Sequence, residues 1–303
     1  MGGSHGNYRL QRPSDLQFGF AYRLLPMCGI IGYVGPQEAA PILVEGLRRL
    51  EYRGYDSAGL AILSNGIHLR RAVGKLRNLD KLLLEQPVSG TTGIGHTRWA
   101  THGRPTENNA HPHVVGTVAV VHNGIIENHL ELKAELRAKG RTFASETDTE
   151  VFSHLIDEAL QGGVDLPTAV RQAALQVRGA YAIAVVDSRQ PDFVVVAKQQ
   201  SPLILGLGEG ENFIASDIPA VISHTRKVVY MEDGDMAVVR ADSYQISRIS
   251  SAEPVVHPIA HIAWSAVAAE KGGFKHFMLK EIHEQSRAIT DTFRGRASVE
   301  QGD

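Results

Sequence analysis

The chain has little of three things that would each indicate a particular class of protein. Its 303 residues include a single cysteine, which cannot form an internal disulfide, so nothing indicates an oxidising compartment. The formal net charge is only -2, which gives no electrostatic attraction to nucleic acid or to a membrane surface. No apolar run approaches the roughly 18 residues needed to span a bilayer. We therefore expect a cytoplasmic globular protein that binds neither nucleic acid nor membrane.

The one cysteine, Cys28, begins a short apolar run that ends at Gly35. β-branched and aromatic residues dominate positions 30–34, and this composition favours a buried strand with Cys28 at its first position. A free cysteine is most often a small buried hydrophobe, and that interpretation stays open here. A single cysteine in an intracellular enzyme is also a candidate nucleophile.

The methionine before Cys28 makes the catalytic interpretation more specific. If translation starts at Met27 and the methionine is removed, the thiol and a free α-amino group share one Cα. An α-amino group has a pKa of roughly 7.7–8.0, so on the order of a tenth of it is unprotonated at pH 7. It can then accept the thiol proton without a separate histidine, as an N-terminal amine does for a threonine nucleophile. This chemistry requires a free amine, because an amide nitrogen is not a useful base.

The order of helical and strand patterns predicts a layered fold. Helical spacing predicts helices over residues 37–50, 76–86, 125–139, 151–160, 166–177 and 276–292. Short segments between glycine, proline and aspartate predict strands over 60–63, 92–96, 114–122, 180–187, 193–198, 203–206, 212–216, 227–231 and 235–240. Asn65-Gly66 predicts a hairpin turn, and Thr147 with Glu150 fits a capping box. Because the helices form two batches between groups of strands, we predict an α+β fold of antiparallel sheets.

Asn123-Gly124 directly follows the predicted strand 114–122. The pair is consistent with an ordinary turn. It is also consistent with an oxyanion hole, in which the Asn123 side-chain amide and the Gly124 backbone N–H stabilise a developing negative oxygen. One such donor contributes roughly 10²–10³ in rate. Glycine also lets a substrate approach the backbone closely.

Arg98 and Asp148 have both a plain and a functional interpretation. Arg98, in a polar loop beside Trp99, is either an ordinary exposed arginine or a bidentate clamp on an α-carboxylate. Asp148 is either an acid near a helix N-terminus, stabilised by the helix dipole, or the partner of an α-ammonium group. Together the two side chains would recognise the zwitterionic end of a free amino acid.

Several histidines raise the question of a metal site. The spacings of His96 and His102, and of His111 and His113, are not those of a zinc site, and there is no second cysteine. We therefore expect no metal, and we expect His102 and His111 to shape a pocket instead.

Six short motifs occur in order between residues 28 and 150. They are Cys-Gly-Ile-Ile-Gly at 28–32, Tyr-Arg-Gly-Tyr-Asp-Ser-Ala-Gly at 52–59, His-Thr-Arg-Trp-Ala-Thr-His-Gly at 96–103, Asn-Ala-His-Pro-His at 109–113, His-Asn-Gly-Ile-Ile-Glu-Asn at 122–128 and Ser-Glu-Thr-Asp-Thr-Glu at 145–150. This series resembles the class II glutamine amidotransferases, and the resemblance extends to about residue 296. It implies the four-layer αββα sandwich of the N-terminal-nucleophile hydrolases. It also implies hydrolysis of L-glutamine to glutamate and ammonia through a cysteinyl thioester, without a cofactor or metal.

The resemblance also implies a role for each matching residue. The implied catalytic residues are the nucleophile Cys28, the oxyanion hole of Asn123 and Gly124, and Arg53, which helps organise the site. The implied glutamine-binding residues are Arg98 for the carboxylate, Asp148 for the amino group, Trp99 as an aromatic gate on a mobile loop over 98–105, and Thr101, His102 and His111.

Within this family the motifs are most similar to members that pass the ammonia to fructose 6-phosphate and form glucosamine 6-phosphate. In those members, two sugar-isomerase domains bind the sugar phosphate, and the resemblance implies a homodimeric parent enzyme. We predict an extension at residues 1–27 that is disordered or not native, and an amidotransferase domain at 28–240. Residues 241–303 would be a loop-rich linker and the start of a truncated sugar-isomerase region, so fructose 6-phosphate would bind only through the missing domains.

Two alternatives to this interpretation stay open. The domain could belong to another class II amidotransferase, such as one of purine or asparagine biosynthesis, although the segment 276–285 argues against this. The chain could also be an inactive fragment, because the residues before Cys28 would leave it without a free amine.

Overall fold

The structure is a computed structural model that describes residues 28–99, 103–263, 274 and 279–286. The strands, in chain order, are β1 (Gly29–Val34), β2 (Ser57–Ser64), β3 (Gly66–Val73), β4 (Thr92–Arg98), β5 (His113–Val115), β6 (Val118–Ile126), β7 (Gly179–Asp187), β8 (Gln190–Gln199), β9 (Ile204–Leu207), β10 (Asn212–Ala215), β11 (Lys227–Tyr230), β12 (Asp235–Arg240), β13 (Tyr244–Arg248), β14 (Pro254–Val255) and β15 (Ile259–His261). The helices are α1 (Ala39–Arg49), α2 (Leu76–Glu85), α3 (His129–Ala138), α4 (Glu150–Gln161) and α5 (Leu166–Gln176). Residues 279–286 are also helical.

The strands form two antiparallel sheets. The first sheet has the order β15-β11-β9-β10-β1-β4-β2-β3, and the second has the order β14-β13-β12-β8-β7-β6-β5. Hairpins account for several neighbours, including β2 and β3, whose turn at Asn65 confirms the predicted hairpin. Among the described residues, no helix is long and apolar enough to cross a membrane.

Alternating side chains of each strand build three apolar layers. In β1, Ile30 packs between the two sheets, whereas Ile31 packs on the other face against α1 and α2. In β7, Ala184 lies between the sheets and Ile183 packs against α4 and α5. Successive side chains of a strand point to opposite faces, so strands covered on both sides need continuous apolar runs. The order helix, sheet, sheet, helix confirms the predicted α+β sandwich.

The outer layers are held by amphipathic helices. Leu43 and Leu47 of α1 are fully buried against the first sheet, and Phe152 and Ile156 of α4 are fully buried against the second. Each side chain of this kind stabilises the fold by roughly 1.5–3 kcal/mol relative to leaving it exposed. Each of the two central sheets is therefore packed on both faces, which makes the ends of their strands suitable supports for a site.

Strand register brings the predicted site residues together. Gly29 of β1 lies opposite Thr97 of β4 in an antiparallel pairing, so Cys28 comes beside the end of β4, where Arg98 lies. β6 of the second sheet brings Asn123 to the same place, and its Nδ2 donates a hydrogen bond to the Cys28 carbonyl at 3.1 Å. Cys28 itself precedes the strand, which begins at Gly29 and not at Cys28 as predicted.

The segment after residue 122 differs most from the secondary structure predicted from the sequence. The predicted strand stops at residue 122 and the predicted helix begins at residue 125, but β6 continues to Ile126 and α3 begins at His129. The extra residues pair with β7, where Gly124 lies opposite Tyr181 and Ile125 opposite Ala180. Pairing with a neighbouring strand here overrides the turn preference of Asn-Gly.

The predicted capping box before α4 is also wrong. The N-cap residue is Thr149, not Thr147, and no side chain caps the helix. The Thr147 hydroxyl instead contacts Ser145 and His113. As in a capping box, the Glu150 side chain contacts residues that precede it in the chain. It accepts hydrogen bonds from the backbone N–H groups of Ala144 and Ser145. These bonds order the segment that carries Asp148.

The region after residue 240 is less loop-rich than the sequence predicts. β13 and β14 extend the second sheet and β15 extends the first, so the two sheets continue past residue 240, where the predicted domain boundary lies. The predicted helix over 276–292 is described only in part, and residues 279–286 are helical. The predicted extension at residues 1–27 lies outside the described residues.

Candidate active site

A small cleft opens where the ends of β1 and β4 face β6. Cys28 and Arg98 line it from the first sheet, and Gly124 and Asp148 line it from the side of the second sheet. The side chains of His111, His122 and Thr149 complete much of its wall. The structure therefore brings together the predicted nucleophile, half of the predicted oxyanion hole and both predicted ligands of an amino acid's charged groups.

Cys28 is half-buried at the start of β1. Its Sγ accepts a hydrogen bond from the Trp99 backbone N–H at 3.2 Å. Burial raises the pKa of the Cys28 thiol above its usual value, and the Trp99 N–H and the charge of Arg98 offset this only in part. The thiol is therefore protonated at neutral pH and needs a base before it can attack, because the thiolate is the nucleophilic form.

Asn123 and Gly124 lie inside β6, so the interpretation of this pair as a simple turn is wrong. Asn123 Nδ2 donates to the Cys28 carbonyl at 3.1 Å, and Asn123 Oδ1 lies 3.0 Å from His96 Nε2. Gly124 has a φ of +133°, and a Cβ at this position would overlap the carbonyl oxygen of Ala180. Glycine is thus required by the backbone here, because any other residue would be strained at this φ and would collide with the backbone of β7.

Arg98 is the last residue of β4 and is almost completely buried, so it is neither in a loop nor an ordinary exposed arginine. Its guanidinium donates hydrogen bonds to the carbonyls of Gly103 and Arg104 at 2.9 and 3.4 Å. It also lies 3.7 Å from the carboxylate of Asp56. A guanidinium is planar and permanently charged, so Arg98 is suited to bind a carboxylate of a ligand in the cleft.

Asp148 is buried and lies one residue before the N-cap of α4. Its Oδ2 accepts a hydrogen bond from the Ile126 backbone N–H at 2.8 Å, which joins it to the end of β6. The carboxylate is thus held by a strand and not by the first turn of the helix. This contact fixes a negative group in the wall that faces Arg98.

Four histidines form a buried layer next to the cleft: His96, His111, His113 and His122. The rings of His96 and His111 lie 4.1 Å apart, and those of His111 and His113 lie 4.7 Å apart. Burial is the main cause that lowers the pKa of both His96 and His113 to about 3 and the pKa of His111 well below its usual value. These three imidazoles are therefore neutral at physiological pH.

Threonine hydroxyls connect this layer. Thr149 Oγ1 lies 2.8 Å from His111 Nε2 and 2.9 Å from His122 Nδ1, and Thr147 Oγ1 lies 3.0 Å from His113 Nε2. A hydroxyl can donate one hydrogen bond and accept another, so Thr149 can satisfy both rings at once. Sequence reasoning missed Thr149 and the role of His96, although both lie inside the quoted motifs.

Arg53 contacts the site only indirectly. Its guanidinium donates to Ser216 Oγ at 2.9 Å and to the Ser216 carbonyl at 3.3 Å. The same Oγ accepts a hydrogen bond from the Ile30 backbone N–H at 3.1 Å, two residues from Cys28. Sequence reasoning also missed Ser216, because it lies in none of the quoted motifs. The predicted role of Arg53 in organising the site stays a prediction.

The structure describes two of the four remaining predicted substrate-binding residues. Trp99 is 41% exposed, as a residue at the mouth of the cleft would be. His111 lines the cleft. Thr101 and His102 lie outside the described residues.

Comparison with known proteins identifies the family. A glutamine amidotransferase domain profile matches residues 96–223. The glutamine–fructose-6-phosphate aminotransferase (isomerizing) of Chlorobaculum tepidum is 52% identical over 286 residues, which cover 91% of this chain and 46% of the relative. The protein of the same name from Clostridium tetani is 54% identical over 273 residues, covering 89% of this chain and 44% of the relative. The chain belongs to the class II glutamine amidotransferases.

Solved amidotransferase structures have the same fold. Glutamine phosphoribosylpyrophosphate amidotransferase from B. subtilis, solved with ADP and GMP, matches with a TM-score of 0.65 and 26% identity, over 74% of this chain and 50% of the other. An allosteric regulatory enzyme of purine biosynthesis matches with a TM-score of 0.66 and 27% identity, over 75% of this chain and 50% of the other. The predicted family and the N-terminal-nucleophile hydrolase fold are confirmed. The chain spans about half the length of the curated relatives it matches.

Proposed function

We propose that this amidotransferase domain hydrolyses L-glutamine to glutamate and ammonia through a thioester on Cys28. The observation that supports this most directly is the 3.1 Å hydrogen bond between Asn123 Nδ2 and the Cys28 carbonyl. This bond supports the proposal because it joins the residue that carries the chain's only thiol to a side-chain amide donor. Nucleophile and oxyanion donor must meet around one carbonyl carbon for acyl transfer.

The reaction proceeds in two balanced steps. In the first, the Cys28 α-amine accepts the thiol proton, and Sγ forms a bond to the side-chain carboxamide carbon of glutamine. The negative oxygen is stabilised by the Asn123 amide and the Gly124 N–H. The carbon–nitrogen bond then breaks, and the α-ammonium group returns the proton to the nitrogen, which leaves as ammonia. In the second step, water attacks the thioester, glutamate leaves and the thiol is restored.

The two charged walls of the cleft suit the other end of glutamine. We propose that Arg98 binds the α-carboxylate and Asp148 binds the α-ammonium group. Each group is buried and held by backbone atoms, so little side-chain freedom is lost when the substrate binds. Trp99, Thr101, His102 and His111 would complete the pocket around the substrate.

For the longer enzyme we propose transfer of this ammonia to fructose 6-phosphate, giving glucosamine 6-phosphate. Identity near 50% to relatives named for that sugar phosphate supports this acceptor, whereas the purine-pathway structures reach only 26–27% identity. The sugar-binding domains, homodimeric assembly and cytoplasmic location are part of this proposal. No cofactor is needed for either step written above.

The test is glutamate release from L-glutamine by a chain that begins at Cys28 and by its Cys28→Ala variant. We expect steady glutamate release by the parent protein and release at the background level by the variant. Replacing the thiol with hydrogen is a small change in packing, so circular dichroism should show the same folded state for both. Ser64→Ala, a substitution of the exposed end of β2, is the matched control and should leave the rate unchanged.

Two outcomes would contradict the proposal. A folded Cys28→Ala variant that keeps substantial activity would show that another group attacks glutamine. Absence of glutamate release from the parent protein, with its N-terminus verified by mass spectrometry, would show that the domain does not hydrolyse glutamine by itself.

A further inference from the structure

We propose that His96 is a positioning residue: by donating a hydrogen bond to Asn123 Oδ1, it turns the amide nitrogen of Asn123 toward the reacting carbonyl. This inference rests on the proposed glutaminase function. His96 lies in β4 of the first sheet, with no exposed surface, and Asn123 lies in β6 of the second. The contact between them therefore spans the two sheets directly below the cleft.

The backbone carbonyl of His122 decides which nitrogen of His96 carries the hydrogen. His96 Nε2 lies 3.0 Å from that carbonyl oxygen and 3.0 Å from Asn123 Oδ1. A carbonyl oxygen can only accept, so Nε2 must be the protonated nitrogen. Among the described residues, the other ring nitrogen, Nδ1, has no hydrogen-bond partner, as suits a nitrogen without a hydrogen.

This tautomer in turn decides the orientation of the Asn123 amide. The single Nε2–H lies between the His122 carbonyl and Asn123, and an amide N–H facing it would be repelled, so the amide oxygen must face His96. The amide nitrogen then faces the Cys28 carbonyl, to which it donates at 3.1 Å. In the flipped orientation, an N–H would face the N–H of His96, and two carbonyl oxygens would face each other across the cleft. Two independent contacts therefore select the same orientation.

This orientation of the Asn123 amide matters for the second hydrogen on its nitrogen. An amide nitrogen carries two hydrogens, and the Cys28 carbonyl accepts one of them. The other is available to the negative oxygen that forms when the thiol attacks. A flipped Asn123 would offer its own oxygen to that negative charge and would oppose the reaction. His96 thus acts on the transition state through Asn123, without contacting substrate.

His96 is suited to a fixed role and not to proton transfer. Burial lowers its pKa to about 3, so the ring stays neutral wherever the enzyme works. The like charges that face it, Arg98 and any protonated form of His122, lower that pKa further, and the contact with Asn123 raises it only in part. At neutral pH the ring therefore keeps the neutral form that donates from Nε2 to Asn123.

A double-mutant cycle with Asn123 tests the inference. His96→Leu removes the donor, His96→Gln keeps an N–H donor in a neutral side chain, and each is made with Asn123 intact and with Asn123→Ala. We expect His96→Leu to lower kcat about 10- to 100-fold with KM changed less than about threefold, because complete loss of one oxyanion donor costs roughly 10²–10³. His96→Gln should restore most of kcat. In the Asn123→Ala background, His96→Leu should have almost no further effect.

Two further measurements test this inference independently of folding effects and of the proposed glutaminase activity. His224→Leu removes a half-buried imidazole stacked on Phe213 and should leave kcat unchanged. The ¹⁵N chemical shifts of the His96 ring report the tautomer without any turnover, and we expect hydrogen on Nε2 only. Hydrogen on Nδ1 would overturn the inference even if glutamine hydrolysis were absent.

Some kinetic results would contradict the inference. An unchanged kcat in folded His96→Leu would show that Asn123 needs no such partner. An equal loss in both Asn123 backgrounds would show that His96 acts through general packing. If His96→Leu does not fold, His96→Gln is compared with the parent protein instead. A loss of kcat in His96→Gln as severe as the loss in Asn123→Ala would then contradict the inference.

Discussion

Two polar clusters in this domain are built in opposite ways. The histidine cluster lies next to the cleft and consists of the buried residues His96, His111, His113, His122, Thr147 and Thr149. The charged cluster lies around β8, β12 and β13 of the second sheet and consists of Lys198, Glu232, Asp233, Asp235, Arg248 and His257. The first cluster is held by hydrogen bonds between imidazoles and hydroxyls, whereas the second is held by ion pairs that join buried residues such as Asp235 to exposed ones such as Glu232.

The charged cluster is centred on Asp235, which has no exposed surface. Its carboxylate lies 2.9 Å from Arg248 Nη1 and 2.7 Å from His257 Nε2, and it accepts a hydrogen bond from the Glu232 backbone N–H at 2.6 Å. His257 belongs to the connection between β14 of the second sheet and β15 of the first. The cluster therefore holds the chain where it crosses between sheets.

The difference shows that the ion pairs that stabilise the fold lie apart from the cleft in which we propose the reaction. Arg98 already lowers the thiol pKa of Cys28, and a further buried charge beside Cys28 would shift that pKa more and compete with the charges that develop during reaction. Neutral imidazoles and hydroxyls instead supply fixed hydrogen bonds without a net field. Among the described residues that line the cleft, the charged ones are Arg98 and Asp148, and we propose that they bind the opposite charges of the substrate.

The largest expected effect tests the structural role of the charged cluster. Asp235→Ala removes the shared partner of Arg248 and His257, and it leaves the buried His257 Nε2 and the Glu232 backbone N–H without this partner. Breaking a buried ion pair in this way typically costs about 3–5 kcal/mol. We expect a loss of that size in the free energy of unfolding, measured with urea, and an unchanged kcat in the fraction that remains folded. Asp192→Ala, an exposed carboxylate of β8, is the control and should change stability by less than about 0.5 kcal/mol.

A smaller effect tests the charge at the cleft. Arg98→Ala removes the proposed contact with the α-carboxylate, a charge-assisted hydrogen bond of about 1.5–3 kcal/mol. We expect KM for glutamine to rise about 10-fold to 150-fold, with a smaller change in kcat. Arg178→Ala, an exposed arginine, should leave KM unchanged. A wild-type KM in Arg98→Ala would show that the carboxylate is bound elsewhere.

The smallest effect concerns the neutrality of the histidine cluster. The pKa of His113 is about 3 in the folded protein and near 6.5 in an unfolded chain, so the unfolded state binds a proton that the folded state does not. Its stabilising effect is complete above about pH 6.5 and is lost as the pH falls toward 3. His113→Gln should therefore reduce the loss of stability by about 1.4 kcal/mol per pH unit between pH 6 and 4.5. Equal slopes for both proteins, from urea titrations at each pH, would mean that His113 is protonated when folded.

Much of the fold and part of the site could be predicted from the sequence, and the errors have physical causes. The order of apolar segments was enough for the layered fold, and a lone cysteine after methionine indicated the nucleophile that we propose. The turn preference of Asn-Gly concealed the continuation of β6, which depends on pairing with β7 across more than fifty residues of sequence. Arg98 was assigned to a loop because its neighbours are polar, but it pairs with Ser57 at the end of β4.

Burial was the other property that the sequence did not show. A histidine has the same appearance in a motif whether it is exposed or buried, so the sequence predicted a pocket role for His111 but not a buried cluster of four imidazoles. The three-dimensional structure separates the rings by their partners: His96 contacts Asn123, while His111 and His122 share Thr149. The strands β14 and β15 were missed because two or three residues carry no detectable pattern.

The most direct test of the central claim compares two N-termini of the same domain. One protein begins at Cys28 and the other keeps residues 1–27, with each N-terminus confirmed by intact mass spectrometry. In the longer protein the Cys28 nitrogen is an amide, and a thiol whose pKa is raised by burial has no positioned base. We predict rapid glutamate release from the protein that begins at Cys28 and release near background from the longer one. Equal rates from the two verified proteins would contradict the claim that the α-amine of Cys28 is the catalytic base.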